Sequence, residues 1–266
     1  MLMSAFYKNK VVVVTGASSG IGEQMVRMLL AQNAKVALLA RSESKMKNIV
    51  NSYPNNDTLI IPVDFSLQPD FEAIADKVIS HFGKIDILIN NAGIAQKSFV
   101  QDTSEEVERK VMEVNYFATI NITKAFLPYF IKQQHGQIAV VSSILGEIGL
   151  PLVAPYCASK HAINGYFNSL RYDIERYNIK VHIVSPGFIK TEITKKSLTG
   201  SGEVHNKDSV AQEKGMDAAK CAKGIINCIK NVKMHAYVGG LEVNMPKFAR
   251  AFPKLFHVLM KKMHKI

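Results

Sequence analysis

The chain has 266 residues, of which 47% are hydrophobic and 21% are charged, and its formal net charge is +11. This length and composition fit one large globular domain or two small ones, and they exclude a disordered chain, a collagen-like repeat and a small disulfide scaffold. No apolar run is long enough to span a bilayer. Because the first ten residues do not resemble a signal peptide, the sequence predicts a cytoplasmic protein.

The positive charge is concentrated near the C-terminal end, where residues 244–266 hold six Lys or Arg and no acidic residue. Tryptophan is absent, and the aromatic residues do not alternate with a basic stripe, so no nucleic-acid partner is expected. The three cysteines are odd in number and match no zinc spacing, which predicts reduced thiols and no metal site.

Short apolar runs alternate with segments of helical periodicity. The first run, KVVVVT at residues 10–15, is typical of a strand buried on both faces. In chain order the prediction is strand 10–15, helix 21–33, strand 35–40, helix 44–52, strand 58–63, helix 71–82, strand 85–90, helix 107–134, strand 136–142, helix 155–177, strand 180–185, helix 217–231 and strand 236–238. This alternation predicts one α/β domain over 1–266, a doubly wound (Rossmann) parallel sheet with helices on both faces.

Two segments depart from this alternation. Residues 188–216 contain several glycines among polar residues and are predicted to form a mobile substrate loop over the ligand site. Residues 244–266 are predicted to form a basic amphipathic extension, with a helix starting after Pro253. The apolar stripe of this helix has two possible uses. It packs on the substrate loop or a partner subunit, which is the commoner use of such a pattern, or it contacts a membrane surface. The apolar positions are Phe248, Phe252, Leu255, Phe256, Leu259, Met260 and Met263.

A glycine-rich turn, TGASSGIG at 15–22, joins the first strand to the first helix. Residues without side chains let the backbone approach a pyrophosphate, and a helix N-terminus offers amide donors, so the turn favours a dinucleotide site. A purely structural turn would use the same residues. Gly16-Ala17-Ser18-Ser19-Gly20 also fits the nucleophile elbow of α/β-hydrolases, although the earlier strands which that fold needs are missing.

The end of the second strand carries Arg41 and Ser42 where an acidic residue would bind the ribose of NAD. A guanidinium instead grips a 2′-phosphate through charge-assisted hydrogen bonds. The sequence therefore favours NADP(H) over NAD(H). Arg41 as a plain surface residue, with Glu43 close by, is the alternative.

Tyr156 and Lys160 lie at i and i+4 and so share one face of a helix. A phenol titrates too high for acid–base work at neutral pH, and a nearby ammonium is expected to lower its pKa. Ser143 follows the fifth strand and adds a hydroxyl at the same sheet edge. The Tyr156–Lys160 pair alone is a weak signal, and Ser143 alone would be an ordinary capping residue at a strand end.

Together these motifs resemble the short-chain dehydrogenase/reductase superfamily, and within it the dehydrogenase/reductase member 7B-like and 11β-hydroxysteroid-dehydrogenase-like branch. The resemblance covers residues 10–238 in order. The branch is indicated by ARS at 40–42, YCASKHA at 156–162 and LFHVLM at 255–260. The superfamily motifs are TGASSGIG at 15–22, Asp64, NNAG at 90–93, Asn115, Ser143, Tyr156-x-x-x-Lys160, Pro186-Gly187 and Thr191.

The resemblance implies a role for each matching residue. Tyr156 is the general acid or base, Lys160 lowers its pKa and holds the nicotinamide ribose, and Ser143 orients the substrate oxygen. Asn115 anchors a water that links Lys160 to solvent, and Asn90 stabilises the sheet. The implied cofactor-binding residues are Gly16, Ser18, Ser19, Gly20, Ile21, Gly22, Arg41, Ser42, Asp64, Phe65, Asn91, Ala92, Gly93, Tyr156, Lys160, Pro186, Gly187, Ile189 and Thr191.

The implied activity is hydride transfer between NADP(H) and the carbonyl or secondary alcohol of a small molecule. The expected substrate wall is apolar. Its residues are Leu145, Ile148, Leu150, Leu152, Val153 and Phe188. A dinucleotide-binding regulatory protein without turnover is the alternative function. The resemblance also implies a homodimer or homotetramer, for which the candidate contacts are Phe117, Ile120, Phe126, Tyr166 and Phe167, unless these belong to the core.

Overall fold

The computed structural model describes residues 5–206 and 213–264. The strands are β1 (Val11–Thr15), β2 (Lys35–Ala40), β3 (Thr58–Pro62), β4 (Ile87–Asn90), β5 (Gly136–Val141), β6 (Ile179–Pro186), β7 (Ile189–Lys190), β8 (Met216–Asp217) and β9 (His235–Val238). The helices are α1 (Gly20–Leu30), α2 (Glu43–Val50), α3 (Phe71–Phe82), α4 (Glu105–Met112), α5 (Ala118–Gln133), α6 (Ala154–Ile174), α7 (Ala218–Lys230), α8 (Met245–Ala251) and α9 (Pro253–His264).

Seven parallel strands form one sheet in the order β3-β2-β1-β4-β5-β6-β9, and β7 and β8 form a small parallel pair beside it. The chain runs outward from β1 to β3 and then returns to place β4 on the other side of β1. A crevice opens at the carboxyl ends of β1 and β4, where this reversal occurs. The predicted single-domain, doubly wound α/β fold is confirmed.

The strands are apolar at every position because helices cover both faces of the sheet. In β1, Val12 and Val14 belong to the core on the side of α1 and α7, whereas Val13 faces α3, α5 and α6. This explains the unbroken β-branched runs, since a strand with one wet face would alternate.

The predicted helix 107–134 is wrong as one regular element. α4 ends at Met112, and a π-helical turn, Glu113–Phe117, precedes α5. A π-turn inserts an extra residue into the helical ladder and is frequently found at functional sites. Here the inserted turn carries Asn115.

The predicted contact between copies needs a correction. Phe126 and Phe167 are fully buried in the sheet core, so they contribute to internal packing. Phe117 is 44% exposed, and Ile120 and Tyr166 are half-buried. These three are the only members of the predicted set that reach the surface.

The described part of the predicted substrate loop is more regular than expected. Ile189–Lys190 pairs with Met216–Asp217, and the Leu198 amide donates to the Ala95 carbonyl at 2.9 Å. Residues 207–212 of this loop lie outside the described residues. The C-terminal extension forms two helices, and α9 starts at Pro253 as predicted. None of the helices described is both long and apolar enough to cross a membrane.

Candidate active site

The turn between β1 and α1 depends on close backbone contacts that a side chain would prevent. Gly16 has a left-handed φ of +66°, and a Cβ there would lie 2.9 Å from the Cα of Ala92. A Cβ on Gly22 would lie 2.1 Å from the Gly16 carbonyl oxygen. The side chain of Ser19 does not cap α1. The first amides of α1 therefore face the crevice without a side-chain partner, at the positive end of the helix, where a phosphate fits.

Thr15 fixes the wall opposite this turn. Its Oγ1 accepts hydrogen bonds from the amides of Asn91 and Ala92, both at 2.9 Å. Asn91 Nδ2 donates to the Thr15 carbonyl at 3.1 Å. These bonds hold the segment after β4 against the glycine-rich turn. Asn90 lies behind them, buried, and its Nδ2 donates to Thr123 Oγ1 at 2.8 Å, consistent with its predicted structural role.

Cations collect where β2 and β3 end. Arg41, Lys45 and Lys110 line the crevice there, beside Asp64. Burial works to raise the pKa of Asp64, but two hydrogen bonds from Ser66 and the charges of Arg41 and Lys110 outweigh it, so the pKa lies below its usual value. Glu43 does not line the crevice. Its carboxylate forms an ion pair with Lys47 at 2.6 Å, so it does not neutralise the charge of Arg41 in the crevice.

Tyr156, Ser143 and Lys160 meet at the carboxyl edge of β5. Ser143 Oγ accepts a hydrogen bond from the Leu145 amide at 3.1 Å, and the Ser143 hydroxyl is near enough to Tyr156 to favour a lower pKa of the phenol. Lys160 Nζ donates to the Val141 carbonyl at 2.9 Å and lies 5.7 Å from the centroid of the Tyr156 ring. The three predicted groups of the acid–base site therefore lie in one cleft.

The expected lowering of the Tyr156 pKa is wrong for this arrangement. Desolvation by burial raises the pKa of Tyr156 to about 12, and the nearby Ser143 hydroxyl offsets only part of it. Burial also lowers the pKa of Lys160, to about 8. The sequence shows that an ammonium is near the phenol, but it does not show that the protein excludes water from both groups.

Asn115, in the π-helical turn, holds two segments next to this site together. It is almost fully buried and does not line the crevice. Its Oδ1 accepts from the Ile94 amide at 2.8 Å, and its Nδ2 donates to the Ile94 carbonyl at 2.9 Å and to Ser159 Oγ at 3.0 Å. Asn115 thus ties the segment after β4 to α6, next to Lys160. Its predicted role as a water anchor stays a prediction.

Two further side chains hold the site in position and were not singled out in the sequence. Gln96 is fully buried, and its Oε1 accepts from the Tyr156 amide at 3.3 Å, at the first turn of α6. Glu242 accepts from the Phe188 amide at 3.0 Å and from the Gly240 amide at 2.9 Å. Glu242 therefore fixes the loop after β6 from the C-terminal segment.

The crevice brings together nearly all predicted site residues. Gly22 and Asn115 are the exceptions: they stand behind the lining and pack the turn and the π-turn. The predicted residues that line it are Gly16, Ser18, Ser19, Gly20, Ile21, Arg41, Ser42, Asp64, Phe65, Asn91, Ala92, Gly93, Ser143, Tyr156, Lys160, Pro186, Gly187, Ile189 and Thr191.

A family model for short chain dehydrogenases matches residues 10–201, which is more than half of the chain. The chain belongs to the short-chain dehydrogenase family. This assignment makes it an oxidoreductase of that family and removes the hydrolase interpretation of the glycine-rich turn.

Relatives of this short-chain dehydrogenase lie in the predicted branch. The chain is 34% identical over 260 residues to a Drosophila melanogaster dehydrogenase/reductase SDR family protein 7-like, covering 95% of this chain and 80% of the relative. It is 33% identical over 263 residues to dehydrogenase/reductase SDR family member 7B of Mus musculus, covering 96% and 81%. The resemblance to the 7B-like branch is confirmed.

Solved structures share the fold of this short-chain dehydrogenase. A short chain dehydrogenase/reductase from Burkholderia phymatum in complex with NAD superposes with a TM-score of 0.83 at 21% identity, covering 95% of this chain and 96% of that one. An alcohol dehydrogenase from the archaeon Thermococcus sibiricus complexed with 5-hydroxy-NADP gives 0.74 at 25% identity, covering 88% and 98%.

The sequence missed several charged residues that line the crevice of this short-chain dehydrogenase. Lys45 lies in the first turn of α2, Lys110 lies on α4, and Lys196 pairs with Glu192 in the substrate loop. Only Lys45 had a sequence signal, because it follows the predicted phosphate-binding residues Arg41 and Ser42 closely in the chain. The other two reach the crevice through tertiary packing.

An apolar cluster beside the crevice, the apolar wall, includes part of Tyr156, which among the described residues is its one member that also lines the crevice of this short-chain dehydrogenase. The six residues predicted to form the substrate wall do not line the crevice itself. Leu145 and Ile148 are buried, and Leu150 and Val153 pack against the same cluster, together with part of the Tyr156 side chain. The C-terminal segment covers this wall. Its contributing residues are Val243, Met245, Ala249 and Phe256. Part of the extension therefore packs on the protein, on the segment after β5 and the start of α6 and not on the substrate loop or a partner subunit named in the favoured interpretation.

None of the cysteines and histidines that the structure describes lines the crevice of this short-chain dehydrogenase. Cys157, Cys221 and Cys228 are buried and form no disulfide. Burial raises the pKa of each thiol. Within residues 5–206 and 213–264, no three His, Cys, Asp or Glu side chains cluster closely enough to hold a metal ion. The absence of a metal stays a prediction.

Proposed function

We propose that this chain is an NADP(H)-dependent oxidoreductase that interconverts the carbonyl and the secondary alcohol of a small apolar substrate. The observation that carries the proposal is the convergence of Tyr156, Ser143 and Lys160 in one crevice, which continues to the glycine-rich turn at Gly16. NADP(H), when bound, supplies or accepts the hydride.

The crevice fits such a cofactor along its whole length. The turn at Gly16 leaves room for a backbone approach, and the open amides of α1 suit the diphosphate. Arg41, Lys45 and Lys110 suit a 2′-phosphate, because three cations near one site favour an added dianion over a free ribose hydroxyl. The loop held by Glu242 borders the nicotinamide end through Ile189 and Thr191.

The protein's own residues move the proton. With its pKa raised to about 12, Tyr156 is a neutral phenol at neutral pH, so it donates its proton to the oxygen of a carbonyl substrate. Ser143 donates a hydrogen bond to the same oxygen and fixes its direction. Lys160 stabilises the resulting phenolate, since a phenolate brings a negative charge next to the buried ammonium.

The apolar wall supports the proposed substrate class. Leu145, Ile148, Leu150 and Val153 place uncharged side chains next to Tyr156, and Phe256 adds to this cluster from the C-terminal segment. Hydrophobic ketones and alcohols fit such a wall because transfer out of water favours their binding. A cytoplasmic location and a homo-oligomeric state stay predictions.

A panel of carbonyl compounds tests the proposal. The protein is mixed with NADPH or NADH and with steroid, retinoid, fatty-acyl and small polar carbonyls, and reduced-cofactor absorbance is followed. We expect turnover with apolar carbonyls and faster turnover with NADPH. Cofactor binding without turnover across the panel contradicts the proposal and favours the regulatory protein instead.

The cofactor preference gives a sharper prediction. Arg41→Asp removes a cation from the proposed phosphate site and adds a repelling carboxylate. We expect the preference for NADPH over NADH, measured as the ratio of kcat/KM values, to fall on the order of 100-fold. Arg176→Asp, an exposed change outside the crevice, is the matched control and should leave the ratio unchanged. An unaltered ratio in Arg41→Asp would show that Arg41 does not read the phosphate.

A further inference from the structure

Helix α9 presents apolar side chains to solvent. Leu255 is 50% exposed, Val258 is 59% exposed and Leu259 is 39% exposed, and Phe252 just before the helix is 57% exposed. Among the described residues, five of the fourteen exposed large apolar side chains lie between Leu241 and Leu259. Such a concentration in one short segment marks an interaction surface rather than scattered surface residues.

A neighbouring flank of α9 is fixed to the body of the protein. Phe256 packs on the apolar wall, and its ring lies 6.3 Å from that of Phe248 in an edge-to-face arrangement. Met260, one turn on, is half-buried. At about 100° per residue, Leu255 and Leu259 point to the adjacent flank. The helix is thus held with this second apolar flank facing outward.

The lysines of α9 lie on and beside the exposed flank, with Lys262 on the same face as Leu255. Lys254, Lys261 and Lys262 are exposed, and none of them forms an ion pair with any residue that the structure describes. The segments α8 and α9 contain no Asp or Glu, and Arg250 of α8 lies 3.8 Å from Glu147. Apolar side chains flanked by unpaired lysines are complementary to an apolar layer with a negative surface.

We propose that α9 docks on the surface of a bilayer that contains anionic phospholipids. Leu255, Val258 and Leu259 enter the boundary between headgroups and acyl chains, and Lys254, Lys261 and Lys262 lie among the headgroups. A protein groove would cover the apolar flank equally well, but it would also need acidic residues for three lysines on one short helix. Docking also brings the apolar wall, through Phe256, next to the lipid.

Vesicle co-sedimentation of the full chain tests the proposal without any turnover. Phosphatidylcholine vesicles with and without phosphatidylserine are compared. We expect binding to the vesicles that contain phosphatidylserine and weak binding to phosphatidylcholine alone, and we expect high salt to weaken it. Equal binding to both vesicles, or binding to neither, overturns the proposal.

Two variants of α9 locate the contact. Changing Lys254, Lys261 and Lys262 together to Gln should lower the partition coefficient by about 100-fold. Leu255→Ser with Leu259→Ser should lower it by about 100-fold or more. The charge control changes Lys77, Lys132 and Lys223 to Gln, three exposed lysines on other helices, and the apolar control changes Leu67 and Val100 to Ser. Both controls should bind as the unmodified chain does.

Thermal melting and sedimentation without lipid complete the test. Each α9 variant should melt at the temperature of the unmodified chain, because the substituted side chains are exposed. If the leucine variant instead dissociates an oligomer in the absence of vesicles, the flank binds a second copy and the lipid proposal is wrong. Equal loss of binding in the control variants also overturns it.

Discussion

Replacing Tyr156 with phenylalanine is expected to lower kcat for carbonyl reduction by about 1,000-fold or more. The substitution keeps the ring that packs on the apolar wall and removes only the hydroxyl, in the crevice that Ser143 also lines. The substrate oxygen then has no proton donor at the edge of β5. NADPH affinity should change little, because the phosphate-binding part of the crevice is unaltered.

The measurement is kcat with NADPH and the best carbonyl of the panel, together with cofactor affinity from quenching or calorimetry. Tyr166→Phe is the matched control, since Tyr166 lies on the same helix outside the crevice. It should retain full activity. A Tyr156→Phe variant that turns over at the rate of the unmodified protein would remove Tyr156 from the mechanism.

Much of the fold could be predicted because a parallel sheet buried on both faces gives a simple signal. Each strand reads as an apolar run, as in β1, where alternate valines face opposite cores. The position of Ser143 followed from the same logic, since residues after parallel strands gather at one edge, whereas Asn91 and Pro186 were placed in the site by the family resemblance. Turn and strand positions are local properties of the chain.

The features that could not be predicted from the sequence depend on packing across the fold. Lys110 and Lys196 reach the crevice from elements far apart in the chain. The π-turn at Asn115 breaks a helix whose periodicity reads as regular. Phe126 and Phe167 look like surface candidates until both core faces are assembled. The direction of the Tyr156 pKa depends on how much water the surrounding protein excludes, which no spacing records.

The C-terminal extension contains both a feature that the sequence predicts and one that it does not. The two interpretations of its apolar stripe, packing or surface contact, each describe one flank. Phe256 packs on the apolar wall while Leu255 and Leu259 stay exposed. A helical wheel shows the width of the stripe, but the fraction covered by the body of the protein depends on where the preceding helix, α8, places it.

Lys160→Met is expected to have opposite effects on activity and stability. Burial lowers the pKa of Lys160 from 10.5 to about 8, so Lys160 binds its proton less tightly in the folded state than in the unfolded chain. Below pH 8 both states carry the proton, and the folded state bears the full penalty, about 3 kcal/mol. Between pH 8 and 10.5 the folded state releases its proton first, so stability rises with pH across this window.

Methionine has a similar length and no charge, so Lys160→Met removes this penalty. It also loses the hydrogen bond to the Val141 carbonyl, which offsets about 1–2 kcal/mol. We therefore expect a net gain of about 1–2 kcal/mol and a melting temperature about 2–6 °C higher at neutral pH. The advantage should shrink as the pH approaches 10. Activity should fall by about 100-fold or more, because no cation remains to stabilise the Tyr156 phenolate.

Thermal melts at neutral pH and near pH 10, with kcat measured in parallel, check both effects. Lys124→Met is the matched control, since Lys124 is an exposed lysine on α5, and it should leave stability and activity unchanged. If Lys160→Met instead lowers the neutral-pH melting temperature, the buried ammonium contributes more to the fold through its contact with Val141 than burial costs it. Lys160 would then be a structural anchor of β5, and its charge would have a smaller part in the chemistry than the geometry assigns to it.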